Sequence, residues 1–241
     1  MSPPIIDVPS PNQNNRQLPV SMLVLHYTGM ESGTAALDRM RDEQAQVSAH
    51  YMIEEDGRVF RLVDEEKRAW HAGVSEWNGI TDVNSASIGI EIVNGGHDYG
   101  LPDFPDVQIN ALIPLVKRII AAHMIAPRNI VGHSDIAPER KNDPGENFPW
   151  SGLAAAGIGL WPGEGNGDHR ALFEAGDRDR GVTLIQRGLA GLGYGIALDG
   201  VMTDRTLSVV RAFQRRFRAN KVDGIVDMET LDLVGRLARM V

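Results

Sequence analysis

Alternation of apolar and polar positions predicts a series of short strands in the first two thirds of the chain. Apolar runs rich in strand-forming residues cover residues 21–27, 87–93 and 129–133. Residues 49–63 form two alternating runs around Asp56-Gly57. An Asp-Gly pair in that position predicts a β-hairpin closed by a type I′ turn.

Helical periodicity appears in residues 34–43 and again, more strongly, in residues 107–124. The second segment has Asp106 as its expected N-cap, and Pro114 is expected to kink the helix or shift its start. One face of this helix carries Ile109, Leu112, Val116, Ile119 and His123. Strands and helices in this order predict an α/β or α+β fold, in which helices flank a central mixed β-sheet.

The pattern changes after residue 162, where residues 163–180 are rich in glycine and charge and lack a sustained period. This composition predicts a linker. Residues 181–241 are typical of a small domain of three helices. We therefore predict a core domain at 1–162, a linker at 163–180 and a helical domain at 181–241, and we expect the core domain to fold alone.

Two similar segments support the helical domain, DGVMTDRTL from Asp199 and DGIVDMETL from Asp223. Each is typical of a tight turn leading into a helix, with Thr203 or Asp227 as the N-cap. A calcium loop of the EF-hand type is the alternative. It requires alternating acidic residues and a distal glutamate that these segments lack.

Composition and charge narrow the class of protein. The 241 residues carry a net charge of -8, and an acidic surface disfavours nucleic-acid binding. No apolar run approaches the ~18 residues of a membrane span. The N-terminus lacks the basic and apolar segments of a signal peptide, which favours a cytoplasmic location. Because the chain has no cysteine, any metal must be bound by His, Asp or Glu.

Glu91 interrupts the apolar strand SIGIEIV, in which Ile88, Ile90 and Ile92 alternate with smaller or polar residues. Removing a carboxylate from water costs several kcal/mol, so Glu91 requires a cation, a metal or a catalytic role. The alternative is a structural ion pair with Arg58 or Arg61.

His26 and His133 each end a predicted strand, where α/β folds commonly place their functional sites. Asp143 follows His133 by ten positions in a loop rich in Pro and Gly. Two imidazoles and one carboxylate are a known ligand set for catalytic zinc, with the fourth position left to water. A serine hydrolase built on GHSD would require the G-x-S-x-G elbow, which is absent.

Several motifs together resemble a known enzyme family over about residues 10–162. LHYTG, AHYMIEEDGRVFRLVDEEKRAWHAGVS, SIGIEIVN, GHSDIAPERKNDPG and GLWP are similar to the zinc-dependent N-acetylmuramoyl-L-alanine amidases of type 2. That family shares its fold with phage lysozyme-type amidases and peptidoglycan recognition proteins. From about residue 181, the DG…T repeat and AFQRRF resemble the small peptidoglycan-binding domain often appended to such enzymes.

The resemblance implies that Zn2+ is held by His26, His133 and Asp143, with Glu91 as the catalytic carboxylate and Lys141 as the catalytic lysine. It implies hydrolysis of the amide between N-acetylmuramic acid, or its 1,6-anhydro form, and L-alanine of the stem peptide. The substrate would be peptidoglycan or a muropeptide, in cell-wall recycling or turnover. We expect a monomer, and the wall-binding module makes the periplasm or cell envelope the alternative location.

Four further residues are candidates for substrate binding. Trp70 and His71 could line a groove for sugar or peptide, and His50 could instead support the metal from behind its ligands. Asn94 could hydrogen-bond the stem peptide. For each of them, core packing or turn formation is the alternative.

Two other functions remain as alternatives. A peptidoglycan receptor would bind without cutting, but such receptors typically lack the complete ligand set found here. A zinc peptidase that cuts within the stem peptide would be expected to carry an HExxH helix, which is absent.

Overall fold

A six-stranded mixed β-sheet forms the centre of the protein, whose computed structural model describes residues 4–241. Across the sheet the strands follow the order β1-β5-β4-β7-β3-β8. The pairs β4-β7, β7-β3 and β3-β8 are parallel, whereas β4 and β5 are antiparallel. The strands of this sheet are β1 (Ile5–Asp7), β3 (Met22–Tyr27), β4 (Tyr51–Ile53), β5 (Val59–Arg61), β7 (Ser87–Ile92) and β8 (Ile130–Gly132).

Helices and two small sheets surround the central sheet, which confirms the predicted fold class. The small sheets pair β2 (Gln13–Asn15) with β6 (Lys67–Ala69) and β9 (Ala171–Phe173) with β10 (Val226–Asp227). The helices are α1 (Gly33–Arg41), α2 (Val83–Ala86), α3 (Asp106–His123), α4 (His133–Ile136), α5 (Trp150–Ala155), α6 (Arg180–Leu192), α7 (Asp204–Phe217) and α8 (Met228–Ala238). Within residues 4–241, no helix combines the length and apolar character needed to cross a membrane.

The two faces of β7 have different surroundings, because successive side chains of a strand point to opposite sides. Ile88, Ile90 and Ile92 are fully buried in the apolar layer that includes α3. Ser87, Gly89 and Glu91 alternate with them and therefore lie on the opposite face. The carboxylate of Glu91 is thus kept out of the apolar layer.

The predicted hairpin is confirmed, but the predicted type I′ turn is wrong. The N–H of Gly57 donates to the carbonyl of Glu54 at 2.9 Å, and Glu54 N–H donates to Arg58 at 2.9 Å. Gly57 has a φ of 85°, whereas Asp56 is not among the residues with positive φ. A type I′ turn needs positive φ at both central residues, and this loop has a single left-handed glycine at its end.

Helix α3 differs from the prediction at its start. It begins at Asp106, with Pro105 in the N-cap position and no side-chain cap, and it runs through Pro114 to His123. A proline inside a helix removes one hydrogen bond and costs about 3 kcal/mol. Apolar packing offsets this cost, since neighbouring residues such as Leu115 are buried against the sheet.

The tail, which is the helical domain predicted at 181–241, contains three main helices, α6, α7 and α8, and α6 begins one residue earlier at Arg180. Both predicted N-caps are confirmed. The Thr203 side chain accepts from Thr206 N–H, and that of Asp227 accepts from Thr230 N–H. The segment 163–180 contains β9, which pairs with β10 of the tail. A three-residue strand is too short to show a period in the sequence, so this pairing was not predicted.

One continuous apolar cluster joins the tail to the sheet. It contains Met22 and Val24 of β3 together with Phe213 of α7. The rings of Trp77 and Tyr194 meet edge to face, with centroids 4.9 Å apart. The independent folding of residues 1–162 stays a prediction, and such a fragment would expose this apolar surface to water.

A buried ion pair reinforces the same contact. The guanidinium of Arg216 on α7 donates to Asp135 on α4 at 2.8 Å and to the carbonyl of Ile130 at 2.8 Å. The Tyr194 hydroxyl donates to the other carboxylate oxygen of Asp135 at 2.6 Å. Arg216 also lies over the ring of Trp150, 4.2 Å from its centroid. The tail therefore holds the helix that begins with His133.

We expect Arg216→Ala to lower the free energy of unfolding by about 3–5 kcal/mol, because it leaves Asp135 as an uncompensated buried charge. Urea unfolding of the purified protein measures the change. Arg187→Ala, on the exposed side of α6, is the matched control and should change stability by less than about 0.5 kcal/mol. Equal stability of the two variants would show that the ion pair does not hold the tail in place.

Candidate metal centre and active site

Parallel strand pairing brings the predicted site residues to one edge of the sheet. His26 lies directly opposite Glu91 in the register of β3 and β7. On the other side of β3, β8 ends at Gly132, and His133 begins α4. The loop after α4 folds back, and the N–H of Ser134 donates to the carbonyl of Asp143 at 2.9 Å. This bond places Asp143 beside His133.

Three side-chain atoms converge at this edge. Nδ1 of His26 lies 2.9 Å from Nδ1 of His133, and Oδ2 of Asp143 lies 3.0 Å from each of them. None of the three residues is more than 5% exposed. The structure therefore brings the three predicted ligands together as a candidate metal site.

The protonation states suit a cation. His133 Nε2 lies 3.0 Å from the carbonyl of Ala72, which can only accept, so Nε2 carries a proton, and in the neutral ring Nδ1 presents the lone pair. Burial, helped by His133, lowers the pKa of His26 to about 4, so this ring is neutral at neutral pH. Burial alone would raise the pKa of Asp143, but the charge and hydrogen bonds that His133 and His26 offer when protonated outweigh it and hold that pKa below its ordinary range. Neutral imidazole and carboxylate are the forms that bind metals.

Glu91 faces the same site without a partner. Its Oε2 atom is buried and makes no hydrogen bond within residues 4–241. Burial, followed by the charge of Asp143, raises the pKa of Glu91 well above its ordinary value, and Lys141 opposes this shift. An acceptor that lacks a partner at the edge of a metal site is available to a water molecule.

The structural ion pair proposed as the alternative for Glu91 is not formed. Arg58 pairs with Asp56 at 2.7 Å, and Arg61 pairs with Asp7 at 2.7 Å. Both arginines are therefore engaged on the hairpin side of the sheet.

A cavity of about 560 Å³ opens over the candidate metal site. Its size lies within the usual range for small-molecule pockets. Both predicted catalytic residues, Glu91 and Lys141, line it together with the three candidate ligands. Other lining residues include Tyr27, Arg39, His71, His97 and Asp98.

Of the four predicted substrate-binding residues, His71 is the one that lines this cavity. Its Nδ1 lies 3.0 Å from Nε2 of His26, and burial lowers the pKa of His71 well below its ordinary value, so the ring is neutral. Trp70 lies outside the cavity lining, and its indole N–H donates to Asn14 at 3.0 Å.

His50 and Asn94 are both buried and engaged in other contacts. His50 Nδ1 accepts from the N–H of Gly89 at 2.9 Å. The amide of Asn94 donates to the carbonyl of Pro102 at 2.9 Å and accepts from Gly96 N–H at 2.9 Å. Substrate contact stays a prediction for all four residues.

Sequence reasoning missed a chain of contacts from the cavity to the tail. The Tyr27 hydroxyl lies 2.9 Å from Nδ1 of His97, and Nε2 of His97 lies 2.8 Å from Glu146. The other oxygen of Glu146 accepts from Arg215 of α7 at 3.0 Å. These four residues are far apart in the sequence and share no motif, so no local signal links them.

Comparison with known proteins agrees with this site. Residues 16–146 match the family model described as N-acetylmuramoyl-L-alanine amidase, and residues 178–234 match that of a peptidoglycan binding domain. The chain is 40% identical over 225 residues to the N-acetylmuramoyl-L-alanine amidase AmiD of Escherichia coli K12, covering 88% of this chain and 79% of that protein.

Two solved structures are similar over nearly the whole chain. One is AmiD of E. coli in complex with anhydro-N-acetylmuramic acid-L-Ala-D-gamma-Glu-L-Lys, at a TM-score of 0.80, 36% identity and coverage of 94% of this chain and 92% of that one. The other is AmpDh3 of Pseudomonas aeruginosa in complex with anhydromuramic pentapeptide, at a TM-score of 0.74, 34% identity and 92% coverage of both chains.

The fold and the site define an amide hydrolase with a candidate metal centre. The chain belongs to the N-acetylmuramoyl-L-alanine amidase family, which confirms the resemblance found in its motifs. The receptor without catalysis and the peptidase are thereby set aside in favour of the amidase.

We expect Glu91→Gln to lower kcat by about 10²–10⁴, because glutamine keeps the shape of the side chain but cannot accept a proton. Metal content should be unchanged, since Glu91 is not among the three converging ligands. Initial rates on a soluble muropeptide and elemental analysis of the same sample test both statements. Glu55→Gln, on the exposed hairpin loop, is the control. Turnover near that of the control would remove Glu91 from the mechanism.

Proposed function

We propose that the protein is a zinc-dependent amidase that releases stem peptides from N-acetylmuramic acid, with the 1,6-anhydro form as a preferred substrate. The observation that carries the proposal is the convergence of two imidazole nitrogens and one carboxylate oxygen beside an unpartnered carboxylate. The bond cleaved is the amide between the lactyl group of the sugar and L-alanine.

The donor set supports zinc. Two nitrogen ligands and one carboxylate leave a fourth tetrahedral position open, which is the arrangement of catalytic zinc sites. Mg²⁺ and Ca²⁺ prefer sites built from oxygen atoms. When bound, zinc would lower the pKa of a coordinated water to about 7 and polarise the substrate carbonyl.

Two side chains of the protein, Glu91 and Lys141, carry out the remaining steps of the reaction. Glu91 accepts a proton from the attacking water, a role that its register opposite His26 supports. Lys141 precedes Asp143 by two residues and lines the same cavity. Its ammonium group stabilises the negative charge that develops on the carbonyl oxygen. The proton held by Glu91 then passes to the leaving nitrogen of L-alanine.

The similar structures support the choice of substrate. AmiD and AmpDh3 were each solved with an anhydromuramyl peptide, and this chain aligns with both over more than 90% of its length. The tail matches a peptidoglycan binding domain, so we propose that it also holds the enzyme on the polymer. The monomeric state and the cytoplasmic location, with the periplasm or cell envelope as the alternative, stay predictions that sedimentation and cell fractionation would test.

Metal removal tests the cofactor. We expect about one zinc per purified chain, loss of activity after dialysis against a chelator and recovery after zinc is added back. Elemental analysis must accompany each rate measurement. Full activity in a sample shown to be free of metal would contradict the zinc mechanism.

Product analysis tests the bond that is cut. Incubation with a soluble anhydromuropeptide should yield a free peptide that begins with L-alanine and a sugar that keeps its lactyl group, both identified by mass spectrometry. Intact sacculi, digested in parallel, show whether the anhydro form is preferred. A sugar product that still carries L-alanine would identify a peptidase instead.

A further inference from the structure

We infer that His71, held by Ser87, is a positioning residue that fixes the tautomer of the metal ligand His26. This inference rests on the proposed function, because it concerns how the chain prepares a ligand for its metal. His71 itself is not one of the three converging ligands.

The argument starts at Ser87, whose Oγ lies 2.6 Å from the backbone carbonyl of Val83. A carbonyl oxygen can only accept, so the single hydroxyl proton of Ser87 is donated to it. Oγ also lies 3.2 Å from Nε2 of His71. Since Ser87 has no second proton to give, it must accept in this second bond, and Nε2 of His71 must carry a proton.

The proton on Nε2 determines the role of the other ring nitrogen, Nδ1, in hydrogen bonding. The ring is 5% exposed and, within residues 4–241, its two nitrogens contact only His26 and Ser87, so no carboxylate compensates a second proton, and Nδ1 is left as an acceptor. Nε2 of His26 lies 3.0 Å from this atom. His26 therefore donates its Nε2 proton to His71, and its Nδ1 lone pair faces His133 and Asp143.

Without His71, the proton of His26 would have a competing position. Nδ1 of His26 lies 3.0 Å from Oδ2 of Asp143, so a proton on Nδ1 would form a hydrogen bond to that carboxylate. It would then occupy the place of the metal between the two ligands. The acceptor on His71 favours the tautomer that leaves this place free.

Strand β7 provides room for this arrangement. A methyl group added at Gly89 would overlap the ring atoms of His71. Gly89 alternates with Ser87 and Glu91, so all three lie on the same face of the strand. The small side chains of Ser87 and Gly89 thus leave space for the imidazole of His71 between the strand and the candidate metal site. Ser87 holds the ring there by a hydrogen bond.

Two substitutions of similar shape separate hydrogen bonding from packing. His71→Asn places a side-chain oxygen on Cγ, where histidine has Nδ1, and keeps an acceptor for His26. His71→Leu has nearly the same shape as asparagine and offers no acceptor. Loss of such a partner typically weakens metal binding by about 10–100-fold. We expect that loss in His71→Leu, near-normal affinity in His71→Asn and a smaller loss in Ser87→Ala.

The measurement is the zinc Kd of each purified full-length protein, by competition with a chromogenic chelator, which is independent of activity. The visible spectrum of cobalt(II)-loaded samples reports the ligand geometry. Equal affinities in His71→Asn, His71→Leu and wild type, or equal losses in both variants, would overturn the inference. A wild-type protein that binds no zinc would instead contradict the proposed function. If His71→Leu does not fold, Ser87→Ala decides, since unchanged affinity and spectrum there would also overturn it.

Discussion

The parallel pairing of β3 with β7 is the constraint on which the rest of the site depends. Its register places His26 opposite Glu91. It also commits Ile88 and its alternating neighbours to the apolar layer, because a shift by one residue would turn every side chain to the other face. Burial of that isoleucine row therefore determines where the carboxylate lies, and the chemistry of the site depends on apolar packing on the far side of the sheet.

The second determinant is the path of the chain around the candidate metal site after β8. His133 begins a short helix whose Asp135 is held by Arg216 and Tyr194 of the tail. The segment that carries the candidate ligand His133 is thus held between the sheet and the tail. The tail, which matches a peptidoglycan binding domain, consequently also supports the candidate site through its packing against the sheet.

Without a bound cation, the electrostatics of the candidate site reduce the stability of the protein. Two imidazole nitrogens and one carboxylate oxygen lie about 3.0 Å apart, and a second carboxylate beside them, that of Glu91, lacks a partner within residues 4–241. Such an arrangement is unfavourable until a cation is bound, because each lone pair or charge has lost its water. A metal bound by these residues would therefore stabilise the fold as well as supply chemistry.

The sequence by itself determined five strands of the central sheet, the long helix, the repeated turns of the tail and the choice of candidate ligands. Apolar periodicity is a local property, and the positions of His26, His133 and Asp143 together with the resemblance to the amidase family indicated them as ligands. The tertiary structure alone decided that His71 meets His26, that β9 pairs with the tail and that Arg216 reaches Asp135. Each of these contacts joins residues that are distant in sequence, and no local pattern records which distant partner a side chain will meet when the chain folds.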